Sequence, residues 1–167
     1  MFFYSFIGFV VLQRVTELII AKRNEKESKS LGGYEIDRNG YIPIVIMHTL
    51  FFISFFAEYY LLHKVINAFS VYLLIIFILT QILRYWAIIT LGKKWNTRII
   101  IIPGAKLVKS GPYRIFKHPN YVAVITEIAI IPLIFSCYYT SIIFTIFNAV
   151  ILTRRIKIEN TALGELK

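Results

Sequence analysis

Four apolar stretches leave this chain few folds: residues 2–21, 42–62, 66–91 and 119–153. A helix that crosses a hydrocarbon core needs about 20 predominantly apolar residues, each rising ~1.5 Å. The first three stretches meet that length singly. The fourth is too long for one span and too uniformly apolar for a loop. Pro132, followed by Ser136 to Tyr139, breaks it into helices at about 119–136 and 139–158. The second of these runs out of the bilayer into Arg154 and Arg155. Hydrophobic residues make up 57% of the chain and charged residues 17%, too little polar surface for a dispersed soluble domain. The expected fold class is an all-α integral membrane protein, one domain over residues 1–167, with about five transmembrane helices.

The net charge of +10 raises nucleic acid as a partner, but the basic residues are not arranged as a phosphate-binding face. They fall in short segments between the apolar runs, as membrane topology requires. Of the 19 lysines and arginines, all but Arg14, Lys64 and Arg84 lie in segments 22–41, 92–118 and the tail from Arg154 to Lys167. Five spans put all three segments on one face, whereas four would split them. The charge pattern therefore places the N-terminus outside and the C-terminus in the cytoplasm. Tyr41, Tyr59, Tyr60, Trp86, Trp95, Tyr138 and Tyr139 lie near the expected helix ends, where amphipathic aromatic rings belong. The N-terminal run lacks a preceding basic region and reads as a retained helix. The ending Gly164-Glu165-Leu166-Lys167 carries no prenylation box, so membrane spans rather than a lipid anchor are expected to hold the protein. Cys137 is the single cysteine, which excludes an internal disulfide and a Cys-x-x-Cys metal site. No metal is expected. Ile99 to Ile102 are too short to span, and either an interfacial piece or an extended strand packed on the helices fits them.

Ionisable residues inside apolar runs pair with one another or line cavities. Arg14 and Glu17 are three apart and share a helix face, either as a structural pair or as the polar wall of a cavity. Arg84 and Glu127 stand at depths that allow them to meet. His48 and Gln81 read as interhelical hydrogen bonders, Glu58 as reaching interfacial water, and His63 as solvated.

The chemistry-bearing segment is Lys109 to Tyr121. Gly111-Pro112 marks a turn, and His118-Pro119 opens the next helix with proline in its first turn. That helix start, with Arg114, Lys117 and His118 around it, either offers backbone N–H groups to an anionic ligand or forms a basic interfacial anchor on anionic membrane lipid. Arg155 and Glu159, four apart after the last apolar run, share a face beside Asn160 and lie on the same side of the membrane as His118.

The ordered runs Leu107 to Arg114, Lys117-His118-Pro119-Asn120-Tyr121 and Arg155 to Glu159 resemble the isoprenylcysteine carboxyl methyltransferase family, most closely its small bacterial branch. The resemblance covers about residues 80–167, with Trp95-Asn96 and Pro103-Gly104 as weaker matches. It implies S-adenosylmethionine as cofactor, held without a Rossmann domain by the half of the chain from about 92 to 167. It further implies an active site facing the cytoplasm of a bacterial membrane and a lipophilic small-molecule or lipidated acceptor. Carried over by residue, Val108, Gly111, Pro112, Tyr113, His118, Pro119, Tyr121, Glu159 and Asn160 would contact the cofactor. Arg155, Glu159 and His118 are the catalytic candidates, and Arg84, Lys117 and Glu127 the substrate-side ones. Lys117 stands where the family commonly has arginine, and Asn160 where a second acidic residue often follows the glutamate. His-Pro-x-Tyr alone also occurs in membrane sterol reductases, so an NADPH-dependent reductase is one alternative, and a non-enzymatic membrane subunit another.

Overall fold

Glycine and proline set the element boundaries. In the computed structural model, which describes residues 1–164, the first helix, α1 (Phe2–Ser30), continues nine residues past the apolar run. Residues 22–30 contain no helix breaker, and Lys29 pairs with Glu25 one turn back at 2.6 Å. The helix stops where Gly32 takes a left-handed φ of 81°. A short strand β1 (Tyr34–Ile36) follows, then α2 (Tyr41–Leu61) and α3 (Ser70–Leu91). The third helix starts later than the apolar run because the Asn67 side chain accepts the Phe69 N–H at 2.8 Å and holds a turn there. Strand β2 (Ile99–Ile101) precedes α4 (Pro119–Ile134) and α5 (Tyr138–Gly164). Of the C-terminal tail, Lys167 and the rest of segment 165–167 lie outside the described residues.

The protein is thus helical, with one two-stranded addition. β1 and β2 pair antiparallel in the register Tyr34↔Ile101 and Ile36↔Ile99, so the extended-strand reading of Ile99–Ile101 is the observed one. Three helices, α1, α2 and α3, are long and apolar enough to cross a membrane. The fourth is equally apolar but has 16 residues; α5 has 27 and carries a polar C-terminal half.

The bundle is held from both ends. At the end opposite the basic segments, aromatic rings form the core: Phe3 stacks on Tyr59 at 3.7 Å between centroids and meets Phe135 edge-on at 4.9 Å. Pro132 lies in the last turn of α4, and the chain reverses through Ser136 and the buried Cys137. Glu58 does not reach interfacial water. It is buried and accepts the N–H groups of Tyr139 and Thr140, capping α5 from a neighbouring helix. His48 likewise departs from the sequence reading, bonding the Ile44 carbonyl of its own helix at 2.8 Å.

Between these ends sits a buried ionic network. Arg84, 1% exposed, donates from Nε to Glu127 Oε1 at 3.0 Å and from Nη2 to Glu127 Oε2 at 2.5 Å. Its Nη1 reaches Glu17 at 3.3 Å. Arg14 pairs with Glu17 at 2.7 Å and also with Glu127. Gln81 donates to Glu127 at 2.7 Å and Gln13 to Glu17 at 3.0 Å. Two cations and two anions from α1, α3 and α4 therefore neutralise one another inside the bundle, as intramembrane charges must.

The polar overhang of α1 positions the far end. Asn24 donates to the carbonyls of Gly92 and Trp95 at 3.1 and 2.7 Å. Arg98 pairs with Glu35 at 2.5 Å and Glu25 at 3.5 Å. These contacts fix the loop between α3 and β2 against α1.

Candidate functional site

Helix α4 begins at Pro119, whose ring suits a first turn and needs no N–H partner. Helix α5 extends past the apolar run, so its residues 155–164 stand beside that start. Between them lies a cavity of about 760 Å³, closed on its other sides by β2, by the 105–109 loop and by Ser28 of α1.

The cavity walls include Val108, Tyr113, Lys117, His118, Pro119, Tyr121, Arg155, Glu159 and Asn160. The structure thus brings together most of the residues singled out from the sequence. His118 Nε2 lies 3.0 Å from Asn160 Oδ1 and its Nδ1 lies 3.8 Å from Glu159 Oε2. The His118 and Tyr121 rings stack with centroids 5.2 Å apart. The Tyr121 hydroxyl donates to Glu159 and accepts from Arg155 Nε at 2.8 Å. Arg155 Nη2 donates to the Thr97 carbonyl at 2.5 Å, tying α5 to the loop before β2. Burial, reinforced by the Glu159 charge, pushes the Tyr113 hydroxyl pKa up, so Tyr113 remains a neutral donor at the cavity wall.

Gly111 and Pro112 do not line the cavity. They form a 3-10 turn (Gly111–Arg114) docked on α3, with Pro112 buried. Gly111 has φ 55°, and a Cβ there would lie 2.6 Å from Thr90 Oγ1 and 3.1 Å from Trp86 Nε1. Gly111→Ala is therefore expected to push the turn off α3 and move Tyr113 out of place. The expected cost is about 1–3 kcal/mol in thermal stability, read by unfolding in detergent; an unchanged midpoint would mean the turn does not need glycine.

Arg84 and Glu127 are not in the cavity wall either. They belong to the network between α1, α3 and α4. Several wall residues carry no strong mark in the sequence: Ser28, Arg98 and the β2 residues Ile99 to Ile101. Trp95 and Asn96, noted as weaker matches, also line the cavity, and Trp95 is 1% exposed.

The electrostatics are lopsided. Among the described residues, seven basic side chains, those of Lys94, Arg98, Lys106, Lys109, Arg114, Lys117 and Arg155, line the cavity with one carboxylate, Glu159. Such a space favours an anionic ligand overall, with one position that favours a cation.

Comparison with known proteins agrees with the sequence resemblance. The model of the isoprenylcysteine carboxyl methyltransferase family matches residues 73–165. The chain is 43% identical to the uncharacterized protein YpbQ of Bacillus subtilis, over 98% of this chain and 97% of that one. It is 26% identical to an uncharacterized protein of Haemophilus influenzae, over 92% of this chain and 90% of that one. No solved structure matches significantly.

Proposed function

This chain belongs to the isoprenylcysteine carboxyl methyltransferase family, and on that premise we propose that it transfers a methyl group from S-adenosylmethionine to a carboxylate or acidic hydroxyl of a lipophilic acceptor. The observation that carries the proposal is the joining of His118, Tyr121, Arg155 and Glu159 at one cavity between α4 and α5.

The residues fit the cofactor. The cavity volume lies within the roughly 300–1,000 Å³ typical of small-molecule sites. Among the described residues Glu159 is the one anionic wall residue, and it suits the ammonium of the amino-acid end. His118, Asn160 and Tyr113 supply further polar groups beside it, and Val108 an apolar one. When bound, the cofactor supplies an electrophilic methyl on a sulfonium. The protein's own residues then have positioning tasks. A carboxylate acceptor is ionised at pH 7 and needs no strong base; an acidic hydroxyl needs modest help, for which His118 stands ready. Arg155 orients the anionic end of the acceptor, with Lys117 as a further cation. The Ile99–Ile101 wall excludes water from the nucleophile.

A lipophilic acceptor explains why the site is built on membrane helices. In our reading all five helices span, with the N-terminus outside and the cavity facing the cytoplasm of a bacterial membrane. The acceptor enters sideways between helices. Arg84 and Glu127 remain substrate-side candidates only if the acceptor reaches their network.

Calorimetric titration of the detergent-purified protein with S-adenosylhomocysteine, with NADPH in parallel, tests the proposal. Saturable binding of the first alone supports it. Binding of NADPH alone would replace it with a reductase, and silence from both would favour a non-enzymatic subunit.

A further inference from the structure

Arg155 and Glu159 are four residues apart on α5, a spacing that brings Cβ atoms within about 5–6 Å and normally yields a direct ion pair. Among the described residues they form none. The hydroxyl of Tyr121, from α4, stands between them: it accepts from Arg155 Nε at 2.8 Å and donates to Glu159. A phenol can do both at once, having one proton to give and lone pairs to receive. Arg155 is drawn away on its other side by the Thr97 carbonyl, 2.5 Å from Nη2. Nη1 of Arg155 has no partner among the described residues, so each charged group keeps bonding capacity toward the cavity.

We propose that Tyr121 is a positioning residue that acts as a spacer, holding Arg155 and Glu159 apart so that the two charges serve different ligands instead of neutralising each other. The proposal rests on the reading that Glu159 takes the ammonium end of the cofactor and Arg155 the anionic acceptor. With the hydroxyl gone, Arg155 Nε loses its partner and Glu159 loses its donor. The two then close into the ordinary pair, and the arginine competes with the ammonium for Glu159. The ring itself is not the spacer: it stacks on His118, and phenylalanine preserves that contact.

The test is a binding cycle with S-adenosylhomocysteine on four purified proteins: wild type, Tyr121→Phe, Arg155→Ala and the double variant. Tyr121→Phe is expected to weaken binding about tenfold, and removal of Arg155 in that background to restore it to within about threefold of Arg155→Ala alone. A purely structural role for Tyr121 gives no such rescue. Wild-type affinity in Tyr121→Phe would overturn the proposal, as would a double variant as weak as Tyr121→Phe, which would make the hydroxyl a direct cofactor ligand. No binding by wild type would overturn the cofactor reading and this inference with it. Thermal unfolding of each variant verifies that it is folded; should Arg155→Ala not be, Arg155→Met takes its place.

Discussion

Glu159→Ala is expected to lower affinity for S-adenosylhomocysteine by about tenfold or more, whereas Arg155→Ala should leave it within about threefold and slow methyl transfer on the order of 100-fold. The asymmetry follows from the charges at the cavity wall. Among the described wall residues Glu159 is the one carboxylate, amid seven basic side chains, so its removal takes away the described anion that faces the ammonium group. A hydrogen bond to a charged group is worth about 1.5–3 kcal/mol, which corresponds to roughly tenfold or more in affinity. Arg155 has the opposite sign and contributes little to a cation's binding. Its loss instead removes the fork that orients an anionic acceptor, an effect felt in transfer. The measurements are calorimetric titration for the first and single-turnover transfer to a lipophilic carboxylate for the second. Equal, unaltered behaviour of both variants would remove Glu159 and Arg155 from the site.

What was legible in the sequence divides along physical lines. Long apolar runs and proline breaks fix where helices form, because the hydrocarbon length and the missing proline N–H act locally. So the α4–α5 hairpin, with its break after Pro132, was readable, and so was the meeting of Arg84 with Glu127. The overhang of α1 was not, since its polar residues carry no apolar period; it forms because Asn24 and Ser28 find partners near residues 92–96, far along the chain. Pairing of β1 with β2 has the same character, as three-residue strands announce nothing until each meets the other. Glu58 was misread for a related reason. An acidic residue near a helix end looks solvated until another helix starts beside it and needs a cap. At the candidate site, the spaced motifs singled out His118, Tyr121, Arg155 and Glu159, which the structure brings to one cavity. The sequence placed Gly111 and Pro112 at the ligand, while the structure places them against α3. It gave no sign that Tyr121 stands between Arg155 and Glu159, because that depends on how α4 and α5 are rotated against each other.

Arg84→Ala should cost about 3–5 kcal/mol of stability, the most of any single substitution in the bundle. Arg84 is 1% exposed and bonds both Glu17 and Glu127, which are 4% and 2% exposed. Truncating it leaves two buried carboxylates with Arg14 as their one remaining cation, and a lone buried charge has no water to turn to. Removing charges in balance should be far milder. Arg84→Met combined with Glu127→Leu leaves Arg14 paired with Glu17 at 2.7 Å, and apolar replacements of similar size often match a buried ion pair in stability. Thermal unfolding in mild detergent compares the three proteins: the single variant should melt far below wild type, the double variant close to it. The same experiment separates a structural network from a substrate site. If Arg84→Ala unfolds like wild type yet loses methyl transfer, the network serves the acceptor and the structural account fails. If the double variant is stable and still transfers methyl groups, the network's task is to lock α1 and α3 onto α4, the helix that carries His118 and Tyr121.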